Sequence, residues 1–223
     1  MTARPLDLSL YLVADAATIA GRSLVDVVAQ AVDGGASTVQ IRGKDLSAAD
    51  LLALVEAAAA HTRGRATLLV NDRVDVYLAA KAAGASVDGV HIGQTDLPAD
   101  RVRGLVGDDA IIGLSASLPR QLEALRRLPA GTVDYLGVGA VRATPTKKDH
   151  PTPIGWTGFA AFAELAHEFP CVAIGGVGPG DARDARRAGA AGIAVVRAIC
   201  SAEFPAAAAA ALRFEWADAE VVA

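Results

Sequence analysis

The sequence has little of what marks several large protein classes. Cysteine occurs only twice, at Cys171 and Cys200, which excludes a disulfide-stapled scaffold and fits a reducing compartment with two buried thiols. There is no excess of positive charge: 21 Lys and Arg stand against 25 Asp and Glu, for a net charge of -4. A nucleic-acid partner is therefore not expected, since phosphate neutralisation needs a basic face. Small anionic ligands remain compatible with an acidic chain, because positive charge can be local. Long apolar runs are missing too. The alanine tract 206–211 is followed at once by charges and is too short to span a bilayer, so it is expected to be a packed helix, with no membrane partner. The start, MTARPLDLSLYLVAD, lacks a basic region leading into a long apolar stretch and a small-residue cleavage site, so no signal peptide is expected and the chain reads as cytoplasmic. No linker or low-complexity stretch divides the 223 residues, a length that suits one domain, 1–223.

What is present is alternation. Short apolar runs at 8–14, 38–41, 67–70, 89–92, 111–114, 135–138, 171–174 and 192–196 read as strands. Between and after them lie helical patterns at 24–32, 48–61, 74–83, 98–106, 119–128, 156–169, 181–188 and 204–216. Strand and helix alternating in this way predict an α/β (β/α)8 TIM barrel. The pairs Gly35-Ala36, Gly84-Ala85 and Gly189-Ala190 suit helix ends that feed the next strand. An open doubly wound sheet is the competing fold, but GGVGPGD carries Asp181 where a dinucleotide fingerprint needs its third glycine.

In a barrel the chemistry gathers at the C-terminal strand ends, so the polar residues that stop each apolar run become candidates. LLVNDRVDV stops at Asn71-Asp72, and GVHIGQTD ends on Asp96. Neighbouring strands lie about 4.8 Å apart, so these carboxylates can share one cation. With substrate oxygens and water they suit Mg²⁺. The alternative makes both aspartates helix N-caps. After the second strand, a period of two puts Gln40, Arg42 and Lys44 on one face, unless the two cations are merely solvated. In the second half, GVGAVRATPTKKDH offers Thr144, Thr146 and Lys147 to an anion, and AIGGVGPGD frees backbone N–H groups at Gly175 and Gly176 where barrels commonly grip phosphate. A simple turn would also demand those glycines. The two clusters suggest two phosphorylated ligands in one mouth. No Ser-His-Asp or Cys-His set and no HExxH motif occurs, and His91 is expected as a packing or rim residue.

The ordered set VQIRGK, VNDRVDV, GVHIGQTD, IIGLSAS, GVGAVRATPTK, VAIGGV and GIAVVRAI resembles the thiamine phosphate synthase family over nearly the whole chain. The resemblance implies a TIM-barrel transferase that joins hydroxymethylpyrimidine diphosphate to thiazole phosphate, releasing pyrophosphate, with Mg²⁺ required. It implies that Gln40, Arg42, Lys44, Asn71, Ser115 and Lys147 bind the pyrimidine diphosphate, with Arg42, Lys44, Ser115 and Lys147 acting in catalysis. Asp72 and Asp96 would hold the metal. Thr144, Thr146, Gly176 and the Val196-Arg197 backbone would bind thiazole phosphate. Three positions depart from the family's habit: Gly43 replaces an acid, Ala140 a proline and Arg197 a serine. Rival readings are a thiazole tautomerase on the same barrel, which would need no diphosphate clamp, a phosphosugar epimerase or aldolase, and a non-catalytic phosphate-binding regulator. The sequence does not reveal the oligomeric state and leaves a homo-oligomer open.

Overall fold

Each apolar run forms a strand in the computed structural model, which describes residues 6–19, 21–144 and 152–221. The strands are β1 (Leu10–Asp15), β2 (Thr38–Arg42), β3 (Thr67–Asn71), β4 (Gly89–Ile92), β5 (Ile111–Ser115), β6 (Tyr135–Val138), β7 (Cys171–Ile174) and β8 (Gly192–Val195). Each pairs in parallel with its chain neighbours, and β8 returns to β1, closing a TIM barrel. Alternation sorts the side chains. Leu10, Leu12 and Ala14 enter the large core shared with the surrounding helices, while Tyr11 and Val13 join Leu69, Tyr135 and Val172 inside the barrel.

The outer ring consists of α1 (Leu24–Asp33), α2 (Ala48–Thr62), α3 (Val74–Ala82), α4 (Ala99–Val106), α5 (Pro119–Leu125), α6 (Gly155–Leu165), α7 (Ala182–Arg187), a short α8 (Arg197–Cys200) and α9 (Pro205–Val221). Ser23 and Ser47 start α1 and α2 by accepting the N–H groups of Asp26 and Asp50, caps worth about 1 kcal/mol each. The three Gly-Ala pairs end α1, α3 and α7 as the sequence suggests: Gly35, Gly84 and Gly189 all adopt positive φ, and the following alanine donates back to the helix. The alanine tract packs where bulk would not fit. A Cβ at Gly34 would stand 2.2 Å from the Ala206 carbonyl oxygen, so α1 and α9 touch through their backbones. Among the described residues no helix is long and apolar enough to cross a membrane.

The differences from expectation have local causes. β1 begins two residues later than the apolar run because the Asp7 carboxylate accepts the Ser9 N–H in a local turn. It runs on through Asp15, which pairs in register with Arg42. Helix α6 stops at Leu165 and not at residue 169, and the segment turns ahead of Pro170, whose ring disfavours a helical predecessor. Helix α9 continues past residue 216 because Ala219 is still buried. The expected strand 192–196 ends at Val195, and Arg197 opens α8. Cys171 begins β7 and Cys200 lies in α8; both are free and buried, and burial pushes the Cys171 thiol up to about 12.

Candidate active site

The C-terminal strand ends surround one cavity of about 660 Å³. Gln40, Arg42, Lys44, Asn71, Asp72, Asp96, Ser115, Thr144, Gly176, Val196 and Arg197 all line it, so the residues singled out from sequence are brought together. Thr146 and Lys147 lie outside the described residues.

On one side, the two aspartates face each other. The Asp72 N–H donates to the His91 carbonyl at 2.8 Å, extending the β3 ladder by one residue. The chain then turns at Asp72 with φ +61, a left-handed conformation that aspartate and asparagine tolerate better than most residues. This turn aims the carboxylate at Asp96. Burial, and then the charge and hydrogen bond of Asp96, raise the Asp72 carboxyl to about 6, while Lys44 and Asn71 pull it back down. Neither aspartate is a helix cap. The cap of α3 is Arg73 and that of α4 is Pro98, both without side-chain bonds. Asp96 instead accepts the Gly93 N–H at 2.6 Å, closing its own loop.

Arg42 is less available than its place in the sequence suggests. Its guanidinium is paired with Asp15, which is only 2% exposed, and Asp15 also accepts the Ala17 N–H at 3.0 Å. Lys44 is exposed at the turn beyond β2. Gly43 between them has a packing reason: a Cβ there would lie 2.6 Å from Leu46 Cδ1, so the acidic residue usual in the family would require Leu46 to move.

Across the mouth, Gly175 and Gly176 have φ +91 and +68, and a Cβ on either would collide with the loop after β6, at Ala140 and Arg142. Their turn is thus required by backbone and space as well as suited to an anion. That loop is braced by Arg142, whose two terminal nitrogens each donate to Asp181 at 2.7 Å and whose guanidinium lies 5.8 Å from the Trp156 ring centre. Asp181 also accepts the Gly178 N–H at 2.9 Å. Arg197 is exposed at the head of α8 and, among the described residues, makes no side-chain hydrogen bond or ion pair.

The floor holds what the sequence reading missed. His91 is buried and packs against Tyr135, as the packing reading expects, but both of its ring nitrogens also have polar partners. Alternation along β4 turns it inward, where Nδ1 lies 2.8 Å from the Tyr135 hydroxyl and Nε2 3.0 Å from Ser115 Oγ. The Tyr135 hydroxyl is 2.7 Å from that of Tyr11, to which Gln40 Nε2 donates at 2.6 Å. Asp15 could have been found by carrying the period of two one residue past the first apolar run, and Tyr11 by asking which polar atom the same alternation turns inward within it.

Comparison with known proteins gives a consistent result. Residues 10–199 match the family described as thiamine monophosphate synthase. A thiamine-phosphate synthase from a Psychrobacter species is 41% identical over 198 residues, covering 89% of this chain and 90% of that protein. One from Corynebacterium efficiens is 44% identical over 182 residues, covering 82% and 83%. Among solved structures, thiamine phosphate pyrophosphorylase from Pyrococcus furiosus superposes with a TM-score of 0.82 at 31% identity, covering 96% of this chain and 97% of that one. Orotidine 5'-phosphate decarboxylase from Pyrococcus horikoshii, at 19% identity and a TM-score of 0.61, shares the fold alone.

Proposed function

This chain belongs to the thiamine monophosphate synthase family, and from that premise we propose that it is a transferase acting with all of 1–223 as one domain, whose barrel mouth joins hydroxymethylpyrimidine diphosphate to thiazole phosphate, giving thiamine phosphate and pyrophosphate. The observation that carries this reading is the pairing in one cavity of a two-carboxylate, Lys44-flanked cluster with a glycine-lined loop opposite.

The donors fit Mg²⁺. Burial first, and the neighbouring Asp96 carboxylate second, raise the Asp72 carboxyl to about 6, a cost a divalent cation would relieve. Among the described residues no group of three or more acidic, histidine or cysteine side chains is assembled to hold a metal, so two carboxylates would leave the other positions to substrate oxygens and water, as Mg²⁺ prefers. When bound, Mg²⁺ would supply charge neutralisation to the diphosphate. Lys44, Arg42 and Lys147 bind and orient that diphosphate, which leaves as pyrophosphate only once its charge is offset. Gln40, Asn71 and Ser115 hold the pyrimidine ring. Thr144, Thr146, Gly176 and the Val196-Arg197 backbone hold thiazole phosphate at the opposite side, with its ring nitrogen toward the reacting methylene. An electron-rich aminopyrimidine stabilises positive charge on that methylene, so the bond to pyrophosphate breaks ahead of attack by the thiazole nitrogen. No protein nucleophile is required, and the work of the protein is positioning and electrostatics.

Purified protein incubated with both substrates and Mg²⁺ should yield thiamine phosphate and pyrophosphate in equal amounts. Binding of both without turnover would instead favour a regulator. The exposed place of Arg197 at the rim, without a side-chain partner among the described residues, motivates a second test. Replacing it, as Arg197→Ser, should leave turnover at saturation unchanged and raise the thiazole phosphate KM roughly tenfold, the loss of about 1.4 kcal/mol of bidentate phosphate contact. An unchanged KM would show that only the backbone serves there. Loss of turnover with both substrates saturating would mean that Arg197 acts in the chemical step and that its assignment to thiazole phosphate binding is wrong.

A further inference from the structure

The floor of the cavity carries a continuous chain of hydrogen bonds running from Gln40 through Tyr11, Tyr135 and His91 to Ser115. Its two ends are the side chains to which the proposed function gives the pyrimidine ring. Its middle three members form the buried part of that floor, Tyr11 and Tyr135 at 2% and 0% exposure.

The strands make room for this chain. A Cβ at Gly113 would stand 2.2 Å from Tyr135 Cζ and 2.4 Å from His91 Nδ1, and one at Gly137 would stand 3.0 Å from His91 Cε1. Neither glycine has positive φ. What they supply is therefore the space through which the tyrosine and the imidazole meet, on the two strands that would otherwise fill it.

Proton counting gives the chain a direction. Gln40 Nε2 can only donate, so the Tyr11 oxygen accepts from it. The single Tyr11 proton then goes to the Tyr135 oxygen, and the Tyr135 proton to His91 Nδ1. Neither hydroxyl has another hydrogen-bond partner among the described residues. Burial among apolar neighbours holds both phenols above their ordinary range, so both keep their protons. A neutral imidazole that accepts at Nδ1 carries its proton on Nε2 and donates it to Ser115 Oγ. Ser115, having accepted, has its own proton free for the cavity. At the other end, a Gln40 amide that donates Nε2 to Tyr11 has its Oε1 uncommitted.

We propose that Tyr11, Tyr135 and His91 are positioning residues that impose one hydrogen-bond polarity on Gln40 and Ser115, so that the mouth selects an amino-substituted, acceptor-bearing pyrimidine over its oxo analogue. Selection follows because an oxo ring, with a ring N–H where the aminopyrimidine has a lone pair, would take away the acceptor for the Ser115 proton. The inference rests on the substrate reading above and deepens it; the polarity itself does not depend on that reading.

Two measurements on the full-length protein test it. The first is nitrogen NMR on ¹⁵N-histidine-labelled, substrate-free enzyme, with the His91 signals assigned by their loss in His91→Gln. We expect an unprotonated Nδ1 and a protonated Nε2. A proton on Nδ1 would reverse or break the chain and overturn the proposal. The second compares kcat/KM for the amino and oxo pyrimidine diphosphates. Wild type should prefer the amino substrate on the order of 10³-fold or more, and Tyr135→Phe, which cuts the chain at a fully buried hydroxyl, should shrink that preference at least about tenfold while leaving the thiazole phosphate KM unmoved. A slower variant with the preference intact would show that Tyr135 only fills space, and would sink the idea. If Tyr135→Phe does not fold, Tyr11→Phe asks the same question, and the NMR result stands without any variant. A wild-type enzyme that makes no thiamine phosphate would fail the substrate reading, and the tautomer would still decide the polarity.

Discussion

Asp72→Asn is expected to abolish Mg²⁺-dependent turnover, by about 10³-fold or more, without unfolding the protein. The backbone argument is that asparagine tolerates the left-handed φ of +61 at this position as aspartate does. The electrostatic argument gives a sign. The Asp72 carboxyl is raised to about 6 from an unfolded value of about 3.9, so between about pH 4 and pH 6 the folded state holds a proton that the unfolded state has released. Stability of the metal-free wild type should therefore fall as pH rises through that window and stay lowered above it. The substituted amide has no charge to lose, so the variant should match or exceed wild type in thermal unfolding at pH 8 with chelator present, and should lack this component of the pH dependence. In wild type, the Mg²⁺ requirement should rise below about pH 6, where protons compete for the carboxylate. A variant that is destabilised at pH 8 yet keeps its specific activity would remove Asp72 from the metal site.

The barrel was legible because its strands are buried and its helices amphipathic, and burial writes both periods into the sequence. Where the reading erred, a local interaction outweighed the pattern. Asp7 accepting from Ser9 delays β1, and Pro170 shortens α6. Helix α8 was missed for a different reason: four residues, Arg197–Cys200, make barely one turn, which leaves no period to detect. The error moved Arg197 from a strand to the head of a helix.

The site was legible to the extent that chemistry announces itself in charge and glycine. Asp72, Asp96, Lys44 and Gly176 interrupt apolar runs and were visible. Tyr135 begins an apolar run and passed for core, and Tyr11 sits inside one; only their partners, on strands far away in sequence, give their hydroxyls meaning. Asp15 was hidden by a boundary set one residue short, and with it the fact that Arg42 already has a buried counter-ion. Capping could not be separated from metal binding for Asp72 until the backbone was seen, since both uses put an aspartate just before a helix.

That buried ion pair decides which cation matters most to the diphosphate. Around the β2–β4 side of the mouth stand two described cations, Arg42 and Lys44, and three carboxylates, Asp15, Asp72 and Asp96. With all five ionised the cluster is negative by one charge, and with a divalent cation it becomes positive by one. Arg42 is largely offset by Asp15, so Lys44 is left as the side chain whose field reaches both Asp72 and an incoming anion. Lys44→Ala should thus raise the pyrimidine diphosphate KM by about 30-fold, the loss of about 2 kcal/mol from a charge-assisted contact, with the thiazole phosphate KM changing less than about twofold. It should also shift the acid limb of the Mg²⁺ requirement to higher pH, because Lys44 is among the groups that hold the Asp72 carboxyl down. Isothermal titration with each substrate separately, at two pH values, reads both effects. Lys44→Arg should recover part of the binding but not all, since a guanidinium delivers its charge through a planar fork and not as a point. Equal weakening of both substrates would dissolve the division of the mouth into two halves, and an unmoved acid limb would mean that Lys44 turns away from Asp72 in solution.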